Sequence, residues 1–396
     1  MPDPIIEHLL ERALGRINGL KDNGKLKPLV CIQGGGAKGA WQGGVLEALL
    51  KCDNVIPVAS FGSSAGAINS LFIADKLQHK ETEVFKNYWT KFKKLNLFII
   101  FIAILLNLPV FIFLFLKSII LEESRYPGIV PFWIFKRLLS RKLSNTEKSE
   151  IYLYMYATNI DAIDPPTYNS QIPYTFSVRK NDNKAMINNK TMDIKTAISI
   201  SCCLPFVHPV KLGKSYFADG GIYSNLPIDT IVTNGASGGN SIIILLSKPI
   251  RDFKPHDDDI DYKSLMLLHK VHDMQRIHIK KIIEGLEKGE KIFSGPALMY
   301  SPILVVEPKE RLFSGIVLGF ISPQKMFKDY ELGVNDGAKF KNDINRFLSR
   351  EREALNPYLL INLELPPLPT SRPFQKKIWM HWVNKKWRQP DNFKNT

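Results

Sequence analysis

Residues 29–50 read LVCIQGGGAKGAWQGGVLEALL. An apolar run opens the stretch, a run of glycines follows, and Lys38–Leu50 has the composition of a helix. Strand, tight loop and helix in that order are the opening unit of an α/β fold. Gly34, Gly36 and Gly39 also spell G-x-G-x-x-G, the spacing of a dinucleotide-binding turn. The loop can therefore cradle a phosphate, or its amides can hold the negative charge of a transition state.

The same alternation continues outward. Val55–Phe61 is expected to be a strand and Ala65–Leu77 a helix, and further strands are expected at Ile151–Thr158, Ile242–Leu246 and Ile303–Val306. Short, continuously apolar strands are buried on both faces, so the expected fold is a mostly parallel central sheet sandwiched by helices. The 396 residues suffice for one large domain with appendages or for two domains. Lys and Arg outnumber Asp and Glu by 53 to 38, and the resulting +15 favours an anionic partner. Neither zinc-finger spacing nor a basic–aromatic sheet motif accompanies that charge, so a membrane surface is expected and nucleic acid is not. Cys31, Cys52, Cys202 and Cys203 lie in or beside apolar runs without metal-ligand spacing. Reduced thiols in the cytosol are expected, with no metal and no cofactor.

A dinucleotide site needs an acidic residue at the end of the second strand. Here that strand is followed by GSSAG, and Asp53 precedes it, at the wrong end. A Walker loop fails as well, because Gly39 is followed by Ala40 and Trp41. The pentapeptide Gly62-Ser63-Ser64-Ala65-Gly66 offers another chemistry. It is G-x-S-x-G between a strand and a helix, the context of a nucleophile elbow, or else a serine-capped helix after a glycine turn. With Ser64 as nucleophile and Ser63 a packing neighbour, the N–H groups of Gly35, Gly36 and Ala37 become a nest for an oxyanion. No histidine sits in a convincing strand-end loop; His269, His272 and His278 fall in a Lys-rich helical pattern expected to face solvent. Asp219, followed by Gly220 and Gly221, can project a carboxylate from a tight turn, although Asp-Gly is also an ordinary hairpin turn.

Taken together, GGGAKG, GSSAG and DGG resemble the motifs of the patatin-like phospholipase family, in the same order and strand contexts. SISCCLPFVHPV resembles that family's small-residue helix end, NLP its Asn-x-Pro, and ISPQKMFKDYELGVNDGAKF its final helix. The resemblance covers roughly residues 28–345 outside an apolar insertion. It implies Ser64 as nucleophile, Asp219 as base, Gly34, Gly35, Gly36, Ala37 and Lys38 as the oxyanion loop, and Gly62, Gly66, Gly220 and Gly221 as motif support. The implied reaction is hydrolysis of carboxylic esters of phospholipids or related lipids through an acyl-serine. An acyltransferase or neutral-lipid lipase of the same fold is the alternative, and a nucleotide-binding regulator a more distant one.

Three segments flank or interrupt this domain. Residues 1–27 read as an amphipathic helix without a secretory signal. The insertion, residues 91–148, carries an uncharged core at 97–116, long enough for one crossing of a ~30 Å hydrocarbon layer. One crossing would place Ser64 and Asp219 on opposite sides. Pro109 near the middle instead suggests a monotopic hairpin dipping into one leaflet, or else a cap over the acyl pocket. Residues 346–396 form a proline-rich linker and a tail in which Trp379, Trp382 and Trp387 alternate with Lys and Arg. The expectation is a peripheral or monotopic protein on the cytoplasmic side of a phospholipid membrane.

Overall fold

A computed structural model describes most of the chain between residues 21 and 349. Residues 1–20, 92–131, 161–173 and 350–396 apart from Leu368 lie outside the described residues, as do short stretches between elements. Residues 1–20 of the expected N-terminal helix, the apolar core of the insertion and the basic tail fall in those segments; the end of that expected helix is instead two short antiparallel strands, Lys21–Asp22 and Lys25–Leu26, paired to each other.

Ten strands form one sheet. In chain order they are β1 (Leu29–Ile32), β2 (Ala59–Ser63), β3 (Tyr152–Asn159), β4 (Tyr174–Val178), β5 (Lys184–Ile187), β6 (Lys190–Asp193), β7 (Val210–Leu212), β8 (Ser215–Asp219), β9 (Ile242–Leu245) and β10 (Ile303–Val306). Their spatial order is β10-β9-β1-β2-β3-β4-β5-β6, with β8 also paired to β3 and β7 to β8. The run from β10 to β3 is parallel, and the remaining pairs are antiparallel. The continuous apolar strands are thus the parallel ones, as covered parallel strands require.

Alternation of side chains across the sheet separates two cores. Val30, Ile32, Ile243 and Leu245 join one, with Trp41, Val45 and Leu46 of α1 (Gly39–Leu49), Phe72 of α2 (Ala65–His79) and Trp89 of α3 (Val84–Lys91). Leu29, Cys31, Ile242 and Ile244 join the other, with Leu265, Leu268 and Val271 of a long helix, Ile260–Glu287. Helices α4 (Phe132–Ser140) and α5 (Ile194–Ser201) come between these in the chain, so the long helix is α6 and Pro323–Ser349 is α7. Helix α7 lies so close to α1 that a Cβ at Gly44 would stand 2.1 Å from Tyr330 O, and one at Gly333 2.0 Å from Trp41 O. Trp41 Nε1 donates to Asp336 across the same contact at 3.0 Å.

Two differences from the sequence reading have plain causes. The second strand begins at Ala59 rather than Val55, because Pro57 has no N–H for the ladder; Val55 makes only an isolated bridge to Leu26. His272 is buried rather than solvated, since α6 packs one face on the sheet.

Register decides where the functional side chains meet. Val306, Leu245, Ile32 and Gly62 are aligned across four parallel strands, so the loops after them open on one edge of the sheet. Strand β3 runs past that edge. Its Tyr156 still pairs with Ser63 of β2, while its next residue, Ala157, pairs with Asp219 of β8. Strand β8 therefore comes head-on towards β2 along the same flank of β3, and Asp219 ends beside the turn that begins at Ser63.

Candidate active site

The turn after β2 is sterically closed. A Cβ at Gly62 would lie 2.4 Å from Gly66 O, and one at Gly66 would lie 2.2 Å from Ile32 O, both against backbone that cannot swing away. Between these glycines the chain turns from strand to helix, and Ser64 takes up the left-handed conformation, with φ 53°. Among the described residues it is the only non-glycine with positive φ. That conformation costs on the order of 1–2 kcal/mol for a residue with a Cβ.

Helix α5 restrains the strained residue. Ser64 N–H donates to Ser201 Oγ at 3.1 Å, and the same hydroxyl donates to Tyr156 O at 2.5 Å. Cys202 Sγ donates to Ser64 O at 3.2 Å. One hydroxyl and one thiol from consecutive residues thus hold both backbone polar groups of Ser64. The vicinal cysteines are free thiols, and burial pushes both to higher pKa, so they serve here as small buried donors. Ser63, the neighbour, is fully buried and donates to Ser224 O at 3.3 Å.

Asp219 ends β8 almost completely buried, 3% exposed. Its N–H donates to Cys203 O at 2.9 Å, its carbonyl accepts from Thr158 Oγ1 at 2.9 Å, and Oδ1 accepts from Gly221 N at 2.7 Å. Burial raises the carboxyl from the ordinary 3.8 to about 7, against the opposing pull of the Ser64 hydroxyl and the Gly221 amide. Ser64 is thus near enough to act on the carboxyl. Among the described residues Asp219 Oδ2 has no hydrogen-bond partner, which leaves that oxygen open beside the Ser64 hydroxyl. Among the described residues no histidine hydrogen-bonds either group.

The glycine loop lies against this pair: a Cβ at Gly34 would be 3.3 Å from Ser64 Cβ. Its five expected residues divide by what their amides already do. Gly34 N donates to Asn225 O at 2.8 Å, and Lys38 N to Gly35 O at 3.2 Å. The amides of Gly35, Gly36 and Ala37 have no protein acceptor among the described residues, and Gly36 has φ 57°. The open donors are therefore three, at the start of a 3-10 turn that leads into α1.

Polar residues from distant chain segments fix that loop. Ser247 Oγ donates to Gly34 O at 3.0 Å, and Gln33 Oε1 accepts from Ser247 N at 2.8 Å. Asp261, in the first turn of α6, accepts from Asn225 N at 2.7 Å and from Leu226 N at 3.2 Å. Asn225 in turn holds Gly34. None of Gln33, Asp261 or Ser247 stands out in the sequence, where each is only a polar residue beside an apolar run; Ser201 lies within SISCCLPFVHPV, but nothing in that stretch marks it as the partner of Ser64.

The architecture is an α/β sheet whose glycine loop and Ser64 turn lie at the carboxyl ends of adjacent parallel strands, where β1 leads to β2 on one side and β9 lies on the other, the usual place for a ligand in such sheets. The family model for patatin-like phospholipase matches residues 30–232, just over half of the chain, and the chain belongs to that family. Membership places it among the lipid acyl hydrolases. No curated protein sequence matches the chain. Among solved structures it is similar to VipD from Legionella pneumophila, at 14% identity and TM-score 0.37, over 80% of this chain and 67% of that one. It is also similar to human GIVD cytosolic phospholipase A2, at 11% identity and TM-score 0.45, over 90% of this chain and 63% of that one.

Proposed function

We propose that the chain hydrolyses carboxylic esters of membrane phospholipids, as a phospholipase A type serine hydrolase with a Ser64–Asp219 dyad and an acyl-Ser64 intermediate. The observation that carries this reading is the strained Ser64, φ 53°, set beside a buried carboxyl raised to about 7.

Strain at the nucleophile and a tuned base are the marks of a site prepared for chemistry. Ser64 Oγ attacks the ester carbonyl while its proton passes to Asp219. A carboxylate with a pKa near 7 is a far better base than one near 4, and it is still ionised in a useful fraction at neutral pH. The carbonyl oxygen becomes an alkoxide, which the amides of Gly35, Gly36 and Ala37 receive. Each such donor is worth ~3 kcal/mol in the transition state. The tetrahedral centre collapses, and Asp219 returns the proton to the departing lysolipid oxygen. Water then attacks the acyl-Ser64 ester and gives its proton to Asp219, which passes it to the departing Ser64 Oγ, so the fatty acid leaves with Ser64 and the Asp219 carboxylate both restored.

The net charge of +15 and the free buried thiols support work at an anionic membrane surface facing a reducing compartment. Among the described residues no helix is long and apolar enough to cross a membrane. A fluorophosphonate probe tests the serine chemistry. Peptide mass spectrometry should find the adduct on Ser64 and on no peptide of Ser64→Ala. An adduct elsewhere with Ser64 unmodified would overturn the proposal.

A further inference from the structure

Two loops leave the carboxyl ends of β9 and β10, on the sheet edge that carries the elbow. The first starts at the oxyanion loop itself, where Ser247 bonds Gly34, and reaches Arg251 four residues later. Arg251 Nη2 then donates to Lys309 O at 3.0 Å, in the loop after β10. That second loop, residues 309–315, is pinned to the start of α7: Phe313 N and Ser314 N each donate to the Asp329 carboxylate at 2.8 Å.

The resulting ridge has an unusual outer surface. Phe313 is 56% exposed and Phe327 39% exposed, on a backbone that Asp329 holds in place. Lys328 Nζ lies 5.9 Å from the centre of the Phe313 ring. On the same two loops and the start of α7, Arg251, Lys309, Arg311, Lys325 and Lys328 are exposed, against exposed Asp252, Glu310 and Glu331 and half-buried Glu307 beside Arg251. Five exposed cations to three exposed acids beside two exposed rings leave a net positive, aromatic surface, the composition of a bilayer-interface contact, in which aromatics enter the head-group layer and cations meet anionic lipid.

We propose that this ridge, residues 251–252, 309–315 and 324–328, docks on the anionic surface of a lipid bilayer and sets the mouth of the Ser64 site against it. The inference rests on the lipid-hydrolase reading of that site. Position supports it as much as composition. Val306 is three strands from Gly62 in register, roughly 14 Å at the usual strand spacing. A surface seated there lies on the same sheet edge as the Ser64 turn. Because the ridge is already fixed by hydrogen bonds, docking costs it little ordering.

The test uses the full chain and reads binding apart from turnover. Sedimentation with vesicles of equal parts phosphatidylcholine and phosphatidylserine is compared with phosphatidylcholine alone. The double variant Arg311→Glu/Lys328→Glu should bind the mixed vesicles at least about tenfold more weakly. The variant Phe313→Ser should bind both vesicle types more weakly. Both should keep the wild-type melting temperature and wild-type hydrolysis of a soluble short-chain ester. Because binding needs no catalysis, Ser64→Ala protein serves equally, and a failure of the hydrolase reading stays distinct from a failure of docking. Undiminished binding of the charge-reversed variant to mixed vesicles would overturn the proposal, as would equal binding of both variants and wild type to an acidic protein surface but not to vesicles.

Discussion

Asp219 joins function and stability in one group. Its pKa is raised in the fold, so the folded chain holds the proton more tightly than the unfolded one. The stabilisation is complete below about pH 4 and is lost as pH rises through about 7. Ionised Asp219 therefore costs the fold something on the order of a few kcal/mol above neutrality. Replacing it with Asn, which does not titrate, should raise the melting temperature at pH 8, and the advantage should shrink towards pH 5. The same group sets the activity profile with the opposite sense: kcat/KM should fall about tenfold per pH unit below about 7 as the base is protonated. A scan of melting temperature and a pH–rate profile check the two halves. The strained Ser64 predicts another outcome, for Gly66→Ala: a Cβ placed 2.2 Å from Ile32 O should unfold the elbow and destabilise the chain by at least about 3 kcal/mol in denaturant melts.

At the level of elements, helix α5 holds Ser64, and α6 holds the oxyanion loop. Ser201→Ala removes the acceptor of Ser64 N–H and the donor to Tyr156 O at once. It should lower kcat by about one to two orders of magnitude, with KM little changed, because ~1–3 kcal/mol of support is lost at a site used in the transition state. Steady-state kinetics on a soluble ester separates the two constants. These supports also mark where sequence stops being informative. The strand–loop–helix grammar, the elbow and the Asp-Gly turn are written in local patterns of glycine and apolar residues; residue types alone leave Ser64 a nucleophile or a helix cap and Asp219 a base or a turn residue, and it is the resemblance of the three motifs together that singles out Ser64, Asp219 and Gly35–Ala37 as candidates. Asp261 acts on Asn225 from 36 residues away, and Ser201 on Ser64 from 137. Nothing in the chemistry of a lone Ser or Asp announces such a partner. The antiparallel edge β4–β6 was equally hidden, because KAMI and KTMD are short and polar, and pairing with the sheet rather than propensity makes them strands.

Across the whole molecule, the sheet brings residues separated by half the chain to one edge, and everything proposed here for function lies on that edge. The insertion and the tail, outside the described residues, extend the same expectation to the membrane. With the dyad in one domain, an exposed site beside α3 at Glu83 and a site at residue 145 should be accessible from the same side of a vesicle, and glycosylation or protease mapping of the two sites checks it. Truncation at residue 369 should weaken binding to anionic vesicles while soluble-ester hydrolysis persists. The most direct measurement is fatty-acid release from mixed phospholipid vesicles, followed by mass spectrometry for wild type, Ser64→Ala, Asp219→Asn and the double variant. Wild type should release fatty acid and lysolipid, and each single variant should lose nearly as much activity as the double, because the two side chains act as a unit. Near-normal release by Asp219→Asn, with a histidine variant inactive, would contradict the dyad.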